Sequence, residues 1–158
     1  MKEEKENIVK YTSEILFTFG FNTVTMDSIA QGLRMSKKTL YKYFTSKEDL
    51  LDAVIEMVTQ KLKVRIETVI NSELNAIEKL FNVLKIVIET LSRLNPDYLQ
   101  FMNAKGFRQW EKIENFRKQI VAKNYAKIIE QGKHEGLVED KPTIILITGA
   151  YGIVKSIV

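Results

Sequence analysis

The sequence predicts an all-α chain in two parts: an N-terminal domain of three helices over residues 1–46, and an antiparallel helical domain over residues 47–158. Three observations predict it. Apolar residues recur at three- and four-residue spacing through nearly the whole chain, as in Ile8, Tyr11, Ile15, Leu16 and Phe19. No stretch alternates as a half-buried strand would, and there is no repeat or low-complexity tract. Thr25, Ser36 and Ser46 stand ahead of periodic runs as caps, and Gly20, Asn95-Pro96 and Gly136 stand behind them as stops.

With 158 residues, 45% of them hydrophobic, the chain can bury a real core, which argues against disorder. The formal charge of +4 is a weak sign of an acidic partner when spread over the molecule, but five basic residues and no acidic one lie between Leu33 and Lys47. The absence of cysteine excludes disulfides and thiolate zinc sites and suits a reducing cytosol. No metal or other cofactor is expected. The charged start, Met1 to Glu6, does not resemble a signal or spanning segment, so a soluble, cytoplasmic protein without a membrane role is expected.

The first helix runs from about Glu3 to Phe19, and Gly20 supplies the left-handed residue that closes it, with Phe21 placed to pack back. Thr25 caps a short second helix carrying Met26, Ile29, Ala30 and Leu33 on one face, with Asp27 near its positive end. After a turn at Arg34-Met35, Ser36 caps a third helix reaching Phe44. At 100° per residue Leu40 and Phe44 share one side as core anchors, while Lys38, Thr39 and Lys42 cluster opposite, flanked by Tyr41 and Tyr43. Lys37 and Lys38 lie at the positive, amide-bearing end, which attracts phosphate. A solvated basic helix would show the same composition. Two short helices joined by a tight turn, the second basic, form instead a helix-turn-helix, whose second helix enters the major groove of DNA.

Ser46 caps the next helix, with Asp49 in a capping-box-like place. Its apolar positions Leu50, Leu51, Val54, Val58, Leu62, Ile66 and Val69 keep period to about Ile70, so this helix can connect the two domains and act as a lever. Asn71-Ser72 breaks it. Leu74, Ile77, Leu80, Phe81, Leu84, Val87, Ile88, Leu91 and Leu94 then describe a helix with a broad apolar face, stopped at Asn95-Pro96.

Tyr98, Phe101, Met102, Phe107, Trp110 and Phe116 follow as an aromatic-rich segment that is either core or the lining of a cavity. Period resumes from about Glu111 to Glu135 through Ile113, Phe116, Ile120, Val121, Tyr125, Ile128 and Ile129, ending at Gly136. Lys133 and His134 favour the dipole in the last turn, which is the simplest account of the single histidine. Pro142 opens a final stretch, Thr143 to Val158, that is apolar almost all round and must be buried, against a second copy or within this chain. It is too short and too interrupted for a good membrane span. No capping signal ends it, so a further dimerising helix is expected beyond it.

These residues carry a resemblance. Gly20-Phe21, Thr25-Met26 with Ile29-Ala30, Met35 to Phe44, and Ser46-Lys47-Glu48-Asp49-Leu50-Leu51 resemble the DNA-binding domain of TetR/AcrR-family transcriptional regulators. The likeness covers the first 55 or so residues by motif; beyond Val54 it is architectural, apart from Gly136-Leu137. It implies phosphate contacts from Thr25, Tyr43 and Lys47, and backbone or base-edge contacts from Ser36, Lys37, Lys38, Thr39, Tyr41 and Lys42. Where the family often has glycine, this chain has Arg34, which can add a phosphate contact and alters the turn between the second and third helices. Lys38 replaces a frequently small residue.

The resemblance further implies a homodimeric, ligand-responsive repressor of a palindromic operator in double-stranded DNA. A small hydrophobic effector would sit near Phe81, Tyr98, Phe101, Met102, Phe107, Trp110 and Tyr125. The alternative is a DNA-associated structural or protein-binding protein of the same fold, without a small-molecule effector. An enzyme is disfavoured: there is no cysteine, no glycine-rich phosphate loop and no carboxylate pair that can be placed in a cleft.

Overall fold

The computed structural model describes residues 2–93, 108–142 and 148. Among them every regular element is helical: α1 (Lys2–Phe19), a 3-10 turn (Phe21–Thr23), α2 (Met26–Gly32), α3 (Lys37–Tyr41), α4 (Lys47–Ile70), α5 (Ala76–Leu91), α6 (Arg108–Ile120), a π turn (Val121–Tyr125) and α7 (Ala126–His134). No helix among the described residues is long and apolar enough to cross a membrane. The chain divides into two compact units, Met1–Thr59 with Leu91–Glu111, and Gln60–Thr90 with Lys112–Val158. The division falls inside α4, which contributes to both. Tyr98, Phe101, Met102, Phe107, the stop at Asn95-Pro96 and the apolar run after Pro142, Thr148 excepted, lie outside the described residues.

In the first unit, the amide of Gly20 donates to the Leu16 carbonyl at 3.0 Å and closes α1. With φ 83 and ψ 177, Gly20 has the positive φ expected but an extended ψ, a combination open essentially to glycine alone. Thr25 and Ser28 cap α2 reciprocally, each hydroxyl accepting the other's backbone amide at 3.0 Å. Ser46 accepts the Asp49 amide at 3.1 Å, while the Asp49 carboxylate reaches back to the Thr45 amide at 2.8 Å. The buried apolar set is Ile8, Val9, Leu16, Val24, Met26, Ile29, Ala30, Leu40, Phe44, Leu50, Leu51, Val54 and Ile55. The first half of α4 therefore completes the core of the N-terminal helices. Gln109 at the start of α6 is 2% exposed, and its amide donates to Asp52 Oδ1 at 2.8 Å and to the Glu48 carbonyl at 3.3 Å, holding it to that half of α4.

α3 is shorter than the nine-residue run suggests. After Tyr41 the amides of Lys42 and Tyr43 donate to Thr39 and Leu40 at 3.2 and 3.0 Å, the tighter three-residue pattern that often finishes a helix.

In the second unit, the core comprises Ile66, Ile70, Ala76, Val83, Ile86, Tyr125 and Ile128. The buried face of α5 runs through Ala76, Lys79, Val83 and Ile86, one position off the stripe that its apolar periodicity suggests. Ile77, Phe81 and Ile88 of that stripe are more than half exposed. The helix is apolar over so wide an arc that periodicity alone permits either side, and a polar network selects one. Lys79, buried, donates to Gln131 Oε1 at 2.8 Å; Gln131 donates to the Leu74 carbonyl at 3.0 Å and to Glu135 Oε1 at 2.6 Å; and Glu135 Oε2 accepts the Ala76 amide at 2.8 Å. α7 thus satisfies an amide at the start of α5 that would otherwise lack an intrahelical partner. α7 itself closes at Gly136, φ 69, with Leu137 and Gly136 amides on the Gly132 and Lys133 carbonyls at 2.8 and 3.0 Å.

Two outcomes follow from this packing. A Cβ at Gly32 would stand 1.9 Å from the Tyr11 hydroxyl and 2.5 Å from its ring carbon, so Gly32→Ala must displace the ring. The atoms met are the far end of the half-buried Tyr11 side chain, and Gly32 is an exposed helical position, so turning the ring offsets alanine's better helix propensity. Denaturant unfolding is therefore expected to show no net gain in stability; a gain of the full ~1 kcal/mol that helix propensity alone would give would show that α1 and α2 are not packed this closely. Glu135 is held below its ordinary value of 4.5, first by the Ala76 amide, then by Gln131, with Lys79 adding to the shift and burial opposing it. Its folded form releases the proton more readily than its unfolded form, so its contribution is present above about pH 4.5 and is lost as pH falls through the lower folded value. Glu135→Gln should lower the thermal midpoint at neutral pH and flatten its fall on acidification.

Candidate nucleic-acid interface

Leu40 and Phe44 are 0% and 1% exposed and fix α3 to the core. Lys5 of α1 lies with its ammonium 5.1 Å from the centre of the Phe44 ring. Ser36 caps α3: its hydroxyl accepts the Thr39 amide at 3.0 Å and lies 2.9 Å from the Thr39 hydroxyl. These contacts leave Ser36, Lys37, Lys38, Tyr41 and Lys42 exposed, with Thr39 half-buried.

The turn before α3 rests on Arg34, the one non-glycine among the described residues with positive φ, at 53°. The Met35 amide donates to the Ala30 carbonyl at 2.9 Å and the Arg34 amide to Gln31 at 3.0 Å. This pair of bonds closes a helix through a left-handed residue, a place glycine usually takes. An arginine there costs about 1–2 kcal/mol in backbone energy. It also sets an exposed guanidinium beside α3.

The ten residues expected to meet DNA all lie in the first unit, and the structure divides their cations into held and open groups. Lys37 pairs with Asp27 of α2, 2.6 Å from Oδ1 and 2.7 Å from Oδ2. Lys47 donates to the Phe21 carbonyl at 3.1 Å and sits 3.7 Å from the Phe21 ring centre. Burial lowers its pKa, with Glu48 partly opposing. Arg34, Lys38 and Lys42 make no ion pair with another described residue. Tyr43 donates its hydroxyl to Glu4 at 2.5 Å, and that hydrogen bond, more than burial or charge, raises the phenol's pKa. The Thr25 hydroxyl is taken up in the α2 cap. Sequence reasoning missed Glu4, Phe21 and the pairing role of Asp27, since partners 39, 26 and 10 residues apart leave no periodic signal.

Of the residues expected at an effector site, Phe81, Trp110 and Tyr125 are described. Phe81 on α5 is 67% exposed, since the buried face of α5 is the neighbouring one. Trp110 lies half-buried on α6 in the first unit. Tyr125 is 5% exposed in the second unit, its hydroxyl without a hydrogen-bond partner and its pKa raised by burial. No group of three or more metal-ligating side chains occurs among the described residues.

Residues 8–54 match the profile of bacterial regulatory proteins of the tetR family. The uncharacterized HTH-type transcriptional regulator YvaF of Bacillus subtilis is 31% identical over 116 residues, covering 72% of this chain and 60% of YvaF. The nucleoid occlusion factor SlmA of Mannheimia succiniciproducens is 27% identical over 97 residues, covering 61% of this chain and 44% of SlmA. The chain thus spans less than two thirds of these relatives. The crystal structure of a TetR/AcrR-family regulator from Thermobifida fusca aligns with a TM-score of 0.75 at 19% identity, covering 95% of this chain and 81% of that one, a likeness of fold.

The turn at Arg34 separates backbone from charge. Arg34→Gly is expected to hold or raise stability by up to about 1 kcal/mol, glycine's larger unfolded-state entropy offsetting part of the relieved strain. Arg34→Val should lower it by about 1–2 kcal/mol. Urea unfolding of the two variants checks the order; the reverse order would mean that the residue does not hold a left-handed conformation in solution.

Proposed function

We propose, from the premise that the chain belongs to the tetR family of bacterial regulatory proteins, that it is a DNA-binding transcriptional regulator acting as a homodimer. Residues 1–46 would form the DNA-binding domain and 47–158 the effector-binding and dimerisation domain, with α4 passing motion between them. Two copies would present α3 to successive major grooves of a palindromic site, with half-sites separated by about one helical turn or a multiple. Repression would end when a small molecule shifts α4. A cytoplasmic location goes with this reading.

The observation that carries it is the exposed basic face of α3 on an apolar anchor. Arg34, Lys38 and Lys42 are free of ion pairs with the described residues and available to DNA, while Leu40 and Phe44 are buried beneath them. Lys37 and Lys47 reach phosphate by exchanging or sharing their present partners; an ammonium bound to one carbonyl keeps two donors. Thr25, Tyr43 and Lys47 are assigned to phosphate, and Ser36, Lys37, Lys38, Thr39, Tyr41 and Lys42 to backbone or base edges. A second reading, for which the nucleoid occlusion factor relatives speak only by suggesting a role other than transcription, is a DNA-associated structural or protein-partner-binding protein of the same fold without a small-molecule effector.

Binding to arrays of DNA sites at several salt concentrations tests these roles. Lys47→Ala should weaken all sites and reduce the slope of log affinity against log salt by about 0.9. Thr39→Ala or Lys38→Ala should instead narrow the difference between preferred and random sites. An unchanged slope for the first, or a uniform loss for the others, would remove the role assigned.

A further inference from the structure

The second unit contains a cleft of about 420 Å³, within the usual size range of small-molecule sites, lined from α4 by Lys63 and Glu67 and from α6 and the π turn by Phe116, Ile120, Lys123 and Asn124. Gln119 completes the lining; none of these residues is among those expected at an effector site, and only Phe116 belongs to the aromatic-rich segment considered as a cavity lining. Asn124 is 2% exposed, and its side-chain amide makes no hydrogen bond with another described residue. The amide atoms are not among the fully buried unpaired ones, so the little surface that Asn124 keeps includes them, and in the cleft it lines a ligand atom or water can complete their hydrogen bonds. The backbone carrying it is itself distorted: Val121–Tyr125 form a π turn between two α-helices, a widening found frequently at functional sites.

The rest of the lining defines the chemistry. Lys63 and Lys123 are exposed and form no ion pair with another described residue, so two ammonium groups stand at the rim. Phe116 and Ile120, half-buried, give a short apolar wall. Glu67 is the one carboxylate in the lining, and it disfavours a doubly charged head group such as phosphate relative to a monoanion. We propose that this cleft binds a small amphipathic carboxylic acid, its carboxylate held between Lys63 and Lys123 with the Asn124 amide as a donor and its apolar body against Phe116 and Ile120. The proposal gives the effector step of the proposed function a ligand class, and it rests on that reading only for its effect on DNA binding.

Titration calorimetry of the whole chain with octanoate, in the absence of DNA, tests the site. Saturable binding with one site per chain is expected. It should be weakened about tenfold or more by Lys63→Ala with Lys123→Ala, as for the loss of charge-assisted contacts, and left unchanged by Lys61→Ala, an exposed lysine on the same helix outside the lining. Asn124→Leu should weaken it as well, and uncharged 1-octanol should bind at least tenfold more weakly than octanoate. Absence of saturable binding, equal affinity for octanol, or indifference to the lysine pair would overturn the proposal, whatever Asn124→Leu does to folding. Repeating the titration with DNA present separates the two readings: octanoate bound without any change in DNA affinity would leave the site standing and remove its regulatory role.

Discussion

A helix of five residues cannot hold itself together in water, because nucleation costs more than one turn of hydrogen bonds returns. α3 is such a helix, and its geometry is borrowed from its surroundings. Burial of Leu40 and of Phe44 contributes roughly 1.5–3 kcal/mol each. The Ser36 hydroxyl supplies a partner for an amide of the first turn, and the left-handed turn at Arg34 sets the direction from which the chain enters. The anchors consume one side of the helix, so the remaining sides can be wholly polar without loss of stability. An exposed basic face and a stable core are in this way the same constraint seen from two sides.

Holding some of the cations and leaving others open has electrostatic consequences. Exposed pairs such as Lys37 with Asp27 are worth little in stability. They do, however, fix where a long side chain spends its time, and a phosphate must compete with the carboxylate already there. Arg34, Lys38 and Lys42 face no such competitor among the described residues, so on the reading proposed above their charge would be the most open to an approaching polyanion. Glu4, reaching from α1 to Tyr43, places a negative charge at the border of the same surface.

Local chemistry was the part legible in the chain. Gly20, Thr25, Ser36, Ser46 and Gly136 each perform the cap or stop that their residue types suggest, because such hydrogen bonds join residues only a few positions apart. The core anchors of α3 were legible for the same reason. What was not legible depends on distant partners. Phe21 beneath Lys47, Gln131 beside Lys79 and Gln109 against Asp52 are contacts between elements, and no periodicity encodes them. α5 shows the limit within a single helix: its apolar arc is wide enough to permit either orientation, and only the Lys79–Gln131–Glu135 network leaves Phe81 outside. The π turn has no compositional mark at all. For the candidate interface, the residue types and their order could be read, and their present partners could not.

The cap that Glu135 provides to α5 has a bearing on the birth of the protein at the ribosome. Ala76 waits for a carboxylate that emerges 59 residues later, and Ile128 of the same core follows by nearly as long an interval. The N-terminal helices, by contrast, have the buried apolar residues described for their unit in hand once Ile55 has left the exit tunnel. Synthesis proceeds at about 5–20 residues per second, so α5 spends seconds with its start unsatisfied and its apolar sides uncovered. During that interval a nascent chain with its first helices packed together and an open second unit is the species that chaperones and proteases meet.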